Sequence, residues 1–290
     1  LSLHTDGGLP LRLEGMLSAG EYVLPGNVSS QFITGLLLAL PLLPGDSRIR
    51  LSSPLESAGY VDMTLAVLRD FGIPVLAADN GWDIPGNQQY QSRDYTVEGD
   101  WSQAAFFLAA GALGGDIAIH GRREASPQGD REAAVLFSRF GAQVSWQASV
   151  LSAGPGNISG ITIDASQIPD LVPILAATAA CAEGRTRIVH AERLRIKESD
   201  RLHAMADGLS RLGIAVTETP DGLEIIGGHP QSGTVSGCND HRIVMAFSIL
   251  ALAASGPVTI SDAESIRKSY PAFFHDYTKL GGIAHGVQLG

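Results

Sequence analysis

The sequence predicts an α/β (α+β) chain made of four repeated βαβαββ units. Two recurrences carry that expectation, and the overall composition limits what such a chain can do. Four helical stretches close on a glycine followed by a strand: VLRDFGIPV, LFSRFGAQV, GLSRLGIAV and the weaker DYTKLGGIA. Their glycines, Gly72, Gly141, Gly213 and Gly281, lie 69, 72 and 68 residues apart, a period that marks an internal repeat. Glycine after a helical run reads as the residue past the C-cap, where the backbone turns left-handed.

A second phrase fills the first half of each unit: a polar start, a run of apolar or small residues, a glycine and a strand. The copies are SSQFITGLLLALPLLPGDSRIRL, WSQAAFFLAAGALGGDIAIHG, IPDLVPILAATAACAEGRTRIVH and NDHRIVMAFSILALAASGPVTIS. An amphipathic helix comes next, clearest in GYVDMTLAVLRDFG with its apolar residues at helical spacing. Two short strands complete most units, as in IAVTETPDGLEIIGG, where PDG marks a hairpin turn. The first helix of each unit is apolar nearly all round, so it is expected to be buried on every side, with sheets and second helices outside. The organisation predicted is one unit in residues 1–98 and three units in residues 99–290.

Composition bounds the function. The 290 residues suit two domains, and 44% hydrophobic with 17% charged residues describes a soluble globular chain. With 30 acidic against 20 basic residues the net charge is −10, which disfavours general binding of nucleic acid or anionic membranes. Any anion must be held by a local cluster. Cys181 and Cys238 stand far apart, without zinc or disulfide spacing, which suits a cytoplasmic location. The apolar stretches 169–182 and 243–254 fall short of the roughly 18 residues of a membrane span. The chain opens LSLHTDGG, without Met, signal peptide or basic presequence, and is expected to be a fragment or a processed form.

The polar helix starts are the first candidates for chemistry. Helix N-termini present unpaired N–H groups that favour anions. Taken singly, Ser29-Ser30, Ser102, Asp170 and Asp240 read as ordinary N-caps. Capping does not explain Gln31, nor His241 and Arg242, which are large polar groups at the mouth of a buried helix and call for a ligand. A second candidate is AERLRIKESDRLHAMADGLSRLG. Here Arg193, Arg195, Lys197, Glu198, Asp200 and Arg201 place six charges in nine residues. A generic run of this kind is a solvated loop with Ser199 or Asp200 as cap. Its position one repeat before the Asp-His-Arg mouth, with Lys268 of SIRKSYPAFF at the matching junction of the fourth unit, argues for a site.

These stretches resemble the 5-enolpyruvylshikimate-3-phosphate synthase family of enolpyruvyl transferases. GNVSSQFITGLLLALPLL, SAGYVDMTLAVLRDFGI, YTVEGDWSQAAFFLAAGAL, QGD, IPDLVPILAATAA, LRIKESDRL, CNDHRIVMAFSILAL and KSYPAFF occur in family order from about residue 10 to residue 279. The resemblance implies two inside-out α/β barrel-like domains of three βαβαββ units each, so four of six units are present: residues 1–98 as one unit of an incomplete domain, and residues 99–290 as a nearly complete three-unit domain that lacks a first strand. The reaction implied joins shikimate 3-phosphate to phosphoenolpyruvate, in aromatic amino-acid biosynthesis, with no metal or organic cofactor. Carried over position by position, it assigns shikimate 3-phosphate to Ser29, Ser30, Gln31, Ser57, Tyr60, Asp170 and Lys197. Phosphoenolpyruvate falls to Gln31, Arg201, His241, Arg242 and Lys268. Asp170, Glu198 and Lys268 become the catalytic groups, with Asp170 handling the 5-hydroxyl proton and Glu198 protonating the methylene carbon. Glyphosate competes for the phosphoenolpyruvate site in this family, but part of the region governing that response does not occur here.

The sequence also departs from the family. Ala58-Gly59 replace a Lys-Pro-type pair. Arg193 stands where Asn is common, so no substrate contact is assigned to it. The Gly-Ser-Lys-Ser and Asn-Ala-Gly-Thr signatures of the family do not occur. About two units, roughly 140 residues at this period, are therefore expected to be missing, together with a lysine and arginines that bind both substrates. The chain alone is expected to be inactive and to expose apolar surface to a complementary N-terminal fragment. The alternative is a non-catalytic remnant with weak anion binding. The sister transferase that acts on a UDP-amino sugar is disfavoured by KESDR together with NDHR.

Overall fold

In the computed structural model, residues 2–5, 7 and 10–286 are described. They fall into two compact units, Leu1–Thr96 and Val97–Gly290. The first opens with an exposed antiparallel pair, β1 (Ser2–His4) and β2 (Arg12–Glu14). A complete βαβαββ repeat follows: β3 (Glu21–Leu24), α1 (Ser30–Ala39), β4 (Ser47–Leu51), α2 (Ala58–Asp70), β5 (Leu76–Ala78) and β6 (Gly81–Ile84). The sheet order is β3-β4-β6-β5, with β3 parallel to β4 and the other pairs antiparallel. The alternation in SRIRL puts Ser47, Ile49 and Leu51 inside, as a strand half-buried on one face requires. It turns Arg48 and Arg50 outward, to pair with Asp83 and Glu21. Helix α2 buries Val61, Thr64 and Leu68 at helical spacing. It meets α1 through a Thr34–Thr64 hydroxyl pair at 3.1 Å.

The second unit carries three further repeats. The first contains α3 (Trp101–Ala112), β7 (Ile117–Ile119), α4 (Glu132–Phe140), β8 (Gln143–Gln147) and β9 (Val150–Gly154), and its sheet order is β7-β9-β8. The second is complete: β10 (Thr162–Asp164), α5 (Val172–Ala179), β11 (Arg185–Val189), α6 (Arg201–Arg211), β12 (Ala215–Thr219) and β13 (Gly222–Ile226). Its order, β10-β11-β13-β12, repeats that of the first unit. The third has β14 (Gly233–Val235) parallel to β15 (Val258–Ile260), with α7 (His241–Leu250) and α8 (Phe273–Lys279). The closing strand pair expected after Gly281 is not formed through residue 286, and residues 287–290 lie outside the described residues.

The glycines that close the second helices have φ values of 79°, 110°, 79° and 102° at Gly72, Gly141, Gly213 and Gly281. These left-handed turns end each helix where the repeat requires. Every residue of α3, α5 and α7 is buried, because the three helices pack against one another within a shell of sheets and second helices. Helix α1 departs from this expectation. It buries Ser30, Ile33 and Leu37 and leaves Phe32 56% exposed, since one repeat supplies one sheet and one helix and cannot enclose a cylinder. Among the described residues no helix is long and apolar enough to cross a membrane.

Gly208 of α6 lies against the Phe247 ring of α7, and an added Cβ would come within 2.1 Å of that ring. Overpacking a buried contact of this kind costs about 1–3 kcal/mol. Gly208→Ala is expected to lower stability by at least that range in urea unfolding, and adding Phe247→Leu should recover part of the loss. Strict additivity of the two changes would show that the contact does not govern the packing.

Candidate functional site

Three helix starts of the second unit build the site. Asp240 caps α7, accepting from the Arg242 N–H at 2.9 Å. The turn before it is tight, with Cys238 and Asn239 at φ 51° and 49°. Such left-handed non-glycine residues persist only where the surroundings hold them. Here the Asn239 carbonyl accepts from Lys268 Nζ. Asp200 caps α6 through the His203 N–H at 3.0 Å. Arg195 braces this cap, donating to Asp200 at 3.0 Å, Glu218 at 2.6 Å and the Thr219 and Pro220 carbonyls. Arg193 donates to the Ser166 carbonyl at 3.1 Å. Arg193, Arg195 and Asp200 are thus structural, as the bland reading of the charge run had it, and the other charges of the run take different work.

Arg201 is the centre, with 1% of its side chain exposed. Its Nε donates to Asp240 Oδ2 at 2.8 Å, Nη1 to Asp170 Oδ1 at 3.0 Å and Nη2 to Glu198 Oε2 at 2.7 Å. Asp240 is fully buried and also accepts from the Ser199 hydroxyl at 3.0 Å. Arg242 makes a second fork: Nη1 reaches the Asp170 carbonyl at 3.2 Å, and Nη2 reaches both Asp170 Oδ2 and Ser102 Oγ at 3.1 Å. Asp170 therefore joins the two guanidinium groups from the short turn Pro169–Leu171 that leads into α5. It does not act as a side-chain cap, contrary to the simple capping expectation. Ser102 is not the cap of α3 either. Asp100 holds that place, accepting from the Ser102 and Gln103 N–H groups at 2.8 and 3.3 Å.

The electrostatics follow from burial and charge. Burial alone would raise the Asp170 carboxyl, but Arg242, Arg201 and Lys197 outweigh it and hold the group well below the usual carboxylate range. At Asp240 burial likewise opposes ionisation, and pairing with Arg201 prevails, so its pKa is lowered. His241 goes down for a different reason, since burial and the neighbouring Arg242 charge both disfavour its cation. Its Nδ1 is buried without a hydrogen-bond partner, 3.8 Å from Asp240 Oδ1. Two guanidinium groups here face three carboxyl groups, with Lys197 exposed close by.

The remaining expected residues lie in the first unit. Ser29 caps α1, accepting from the Gln31 N–H at 3.3 Å, with Ser30 buried and Gln31 exposed. Ser57 precedes α2 at φ 55°, buried, and its carbonyl accepts from the Tyr60 N–H at 3.1 Å. The loops leading into α1 and α2 touch: Gly26 N–H donates to Ser53 Oγ at 3.0 Å, and Ser53 Oγ to Asn27 Oδ1 at 2.8 Å. A Cβ at Gly26 would meet the Ser53 and Pro54 carbonyls at 2.7 Å, so only glycine allows these two helix starts to lie side by side. The structure thus brings Asp170, Glu198, Arg201 and Arg242 into one hydrogen-bonded cluster, with His241 against it and Lys268 tied to the α7 turn. Reasoning from sequence missed the partners of that cluster, Ser102, Ser199 and the ion-pairing role of Asp240. No local pattern links residues that lie 39 to 140 positions apart.

Helix mouths that gather buried arginines on a scaffold of βαβαββ repeats define the enolpyruvyl transferase class of fold. EPSP synthase from Acinetobacter baumannii superposes with a TM-score of 0.81 at 30% identity, over 97% of this chain and 68% of that one. The enolpyruvyl transferase NikO from Streptomyces tendae shares the fold, with a TM-score of 0.74 at 22% identity over 97% of this chain and 69% of its own. The 3-phosphoshikimate 1-carboxyvinyltransferase of Clostridium acetobutylicum is 48% identical over 99% of this chain and 67% of its own length. For that of Clostridium novyi the values are 45%, 99% and 66%. The sequence profile of EPSP synthase (3-phosphoshikimate 1-carboxyvinyltransferase) matches residues 2–277, and the chain belongs to that family. It spans about two thirds of the length of these relatives.

Two measurements test this electrostatic arrangement. Arg201→Met strands a buried Asp240 carboxylate, and breaking a buried pair costs about 3–5 kcal/mol. Urea unfolding should show a loss of that size, and a loss under about 1 kcal/mol would contradict the central role of Arg201. An NMR titration of His241 should give a midpoint below 6.5, the ordinary imidazole value. Because the unfolded imidazole binds its proton at the higher pH, the stability His241 contributes is present above 6.5 and is lost as pH falls through the folded midpoint.

Proposed function

We propose that this chain carries the larger part of a 3-phosphoshikimate 1-carboxyvinyltransferase, transferring the enolpyruvyl group of phosphoenolpyruvate to the 5-hydroxyl of shikimate 3-phosphate. The observation that carries the reading is the pair of arginines sharing Asp170, with His241 Nδ1 unpartnered beside them. A buried site with fixed cations and an open imidazole suits a small polyanion. In this reading Arg201, Arg242, His241 and Lys268 hold the phosphate and carboxylate of phosphoenolpyruvate, and the family resemblance assigns Gln31 to the same substrate. Within the first unit the contacts proposed for shikimate 3-phosphate are Ser29, Ser30, Gln31, Ser57 and Tyr60; within the second they are Lys197 and Asp170.

The chemistry then has its acid and its base. Asp170, held ionised by its arginines, accepts the proton of the 5-hydroxyl as that oxygen bonds to C2 of the enolpyruvyl group. Glu198 delivers a proton to the methylene carbon, forming a methyl group. Loss of phosphate, with one methyl proton returning to the deprotonated Glu198, restores the double bond. Lys268 completes the charge around the departing phosphate. Both arginines are already neutralised by carboxylates of the chain, so an incoming anion competes with Asp170 and Glu198. Further cations are needed to favour it, which supports inactivity of this span alone and completion by an N-terminal portion like that of the relatives.

Phosphate release from phosphoenolpyruvate in the presence of shikimate 3-phosphate tests the proposal. Turnover is expected after mixing with the N-terminal third of a relative, and not from the chain by itself. Turnover by the chain alone would overturn the need for completion. No turnover in the mixture, together with no binding of either substrate, would favour a non-catalytic remnant.

A further inference from the structure

Ser102 stands outside the residues that the family resemblance assigns. It is 4% exposed, in the first turn of α3, a helix whose start acquired no role above. Its hydroxyl donates to Asp100 Oδ1 at 2.7 Å, which commits its only proton. The oxygen is left as an acceptor, and it receives Arg242 Nη2 at 3.1 Å. Asp100 is fixed in turn by capping α3 through two backbone N–H groups. A relay therefore runs from the α3 terminus through Asp100 and Ser102 to the guanidinium at the α7 mouth, across 140 residues of sequence.

Among the described residues the other hydrogen bonds of the Arg242 guanidinium go to Asp170. If Asp170 is the proton acceptor, its carboxylate must turn to substrate during the reaction, and Arg242 then loses a charged partner. The serine hydroxyl is neutral, so it can orient the guanidinium without cancelling the charge that the anion needs. We infer that Ser102 is a positioning residue, which keeps Arg242 aimed at the bound phosphoenolpyruvate when Asp170 engages the second substrate. This rests on the anion site proposed above.

The test is phosphoenolpyruvate binding by the chain mixed with the N-terminal third of a relative, followed by calorimetry, with the melting temperature of the chain recorded for each variant. Ser102→Ala should weaken binding about tenfold, the effect of losing one hydrogen bond to a charged group, while the melting temperature stays within a few degrees. Ser102→Thr, which keeps the hydroxyl, should restore most of the affinity. Unchanged affinity in Ser102→Ala overturns the inference and leaves the anion site standing. Equal loss in the alanine and threonine variants overturns it too, since the hydroxyl is then not the cause. If the mixture containing the unmodified chain fails to bind phosphoenolpyruvate, the site assignment itself fails, and the inference with it.

Discussion

Arg201 has almost no contact with solvent, and an unpaired guanidinium in that position would cost several kcal/mol. Everything at the mouths of α5, α6 and α7 follows from meeting that cost. The Nε–Nη2 edge faces Asp240, the fully buried cap of α7, while Nη1 reaches Asp170 at the entry to α5. Arg201 is itself the first residue of α6. One side chain thus fixes the starts of three helices belonging to two successive repeats. A planar fork with five donors can satisfy acceptors in three directions, whereas a lysine offers one point charge and could not hold all three carboxylates at these distances.

The same arrangement shows how a chain of net charge −10 could hold the proposed anion. Lys197 and Lys268 are exposed, but the two arginines are not advertised to solvent. They are stored against carboxylates in a buried cluster, oriented before any ligand arrives, and the helix termini add fixed N–H dipoles aimed at the same place. The disadvantage is that a ligand must displace an internal partner. Asp170 bridges both arginines, and in the proposed reaction it is also the proton acceptor, so the same carboxylate would serve the internal pairing and the chemistry.

Much of the repeat was legible from residues alone. The four glycines at about 70-residue spacing marked where second helices end, because only a left-handed turn closes a helix into the following strand. The apolar first helices were legible as helices, but their burial was not a property of sequence. FITGLLLAL in α1 is as apolar as the corresponding runs of α5 and α7, yet Phe32 is exposed. Burial depends on how many neighbouring repeats surround the helix within a unit. Three repeats enclose α3, α5 and α7, whereas one repeat leaves α1 with a single covered face.

The sequence by itself determined the repeat, the helix starts, the family resemblance and the residue types that suit an anion: Asp170, Glu198, Arg201, His241 and Arg242. These are local or periodic features, written in spacing and in residue chemistry. Only the tertiary structure decided which charges brace loops and a helix cap and which meet in one buried cluster. Arg193 and Arg195 are indistinguishable from Arg201 in a string of letters, but the first two reach backbone carbonyls and a cap, and the third reaches three carboxylates. Ser102, Ser199 and the pairing of Asp240 likewise became visible only when distant helices met. Hydrogen bonds and ion pairs act over a few ångströms of space, and their partners here are separated by 39, 41, 72 and 140 residues of chain.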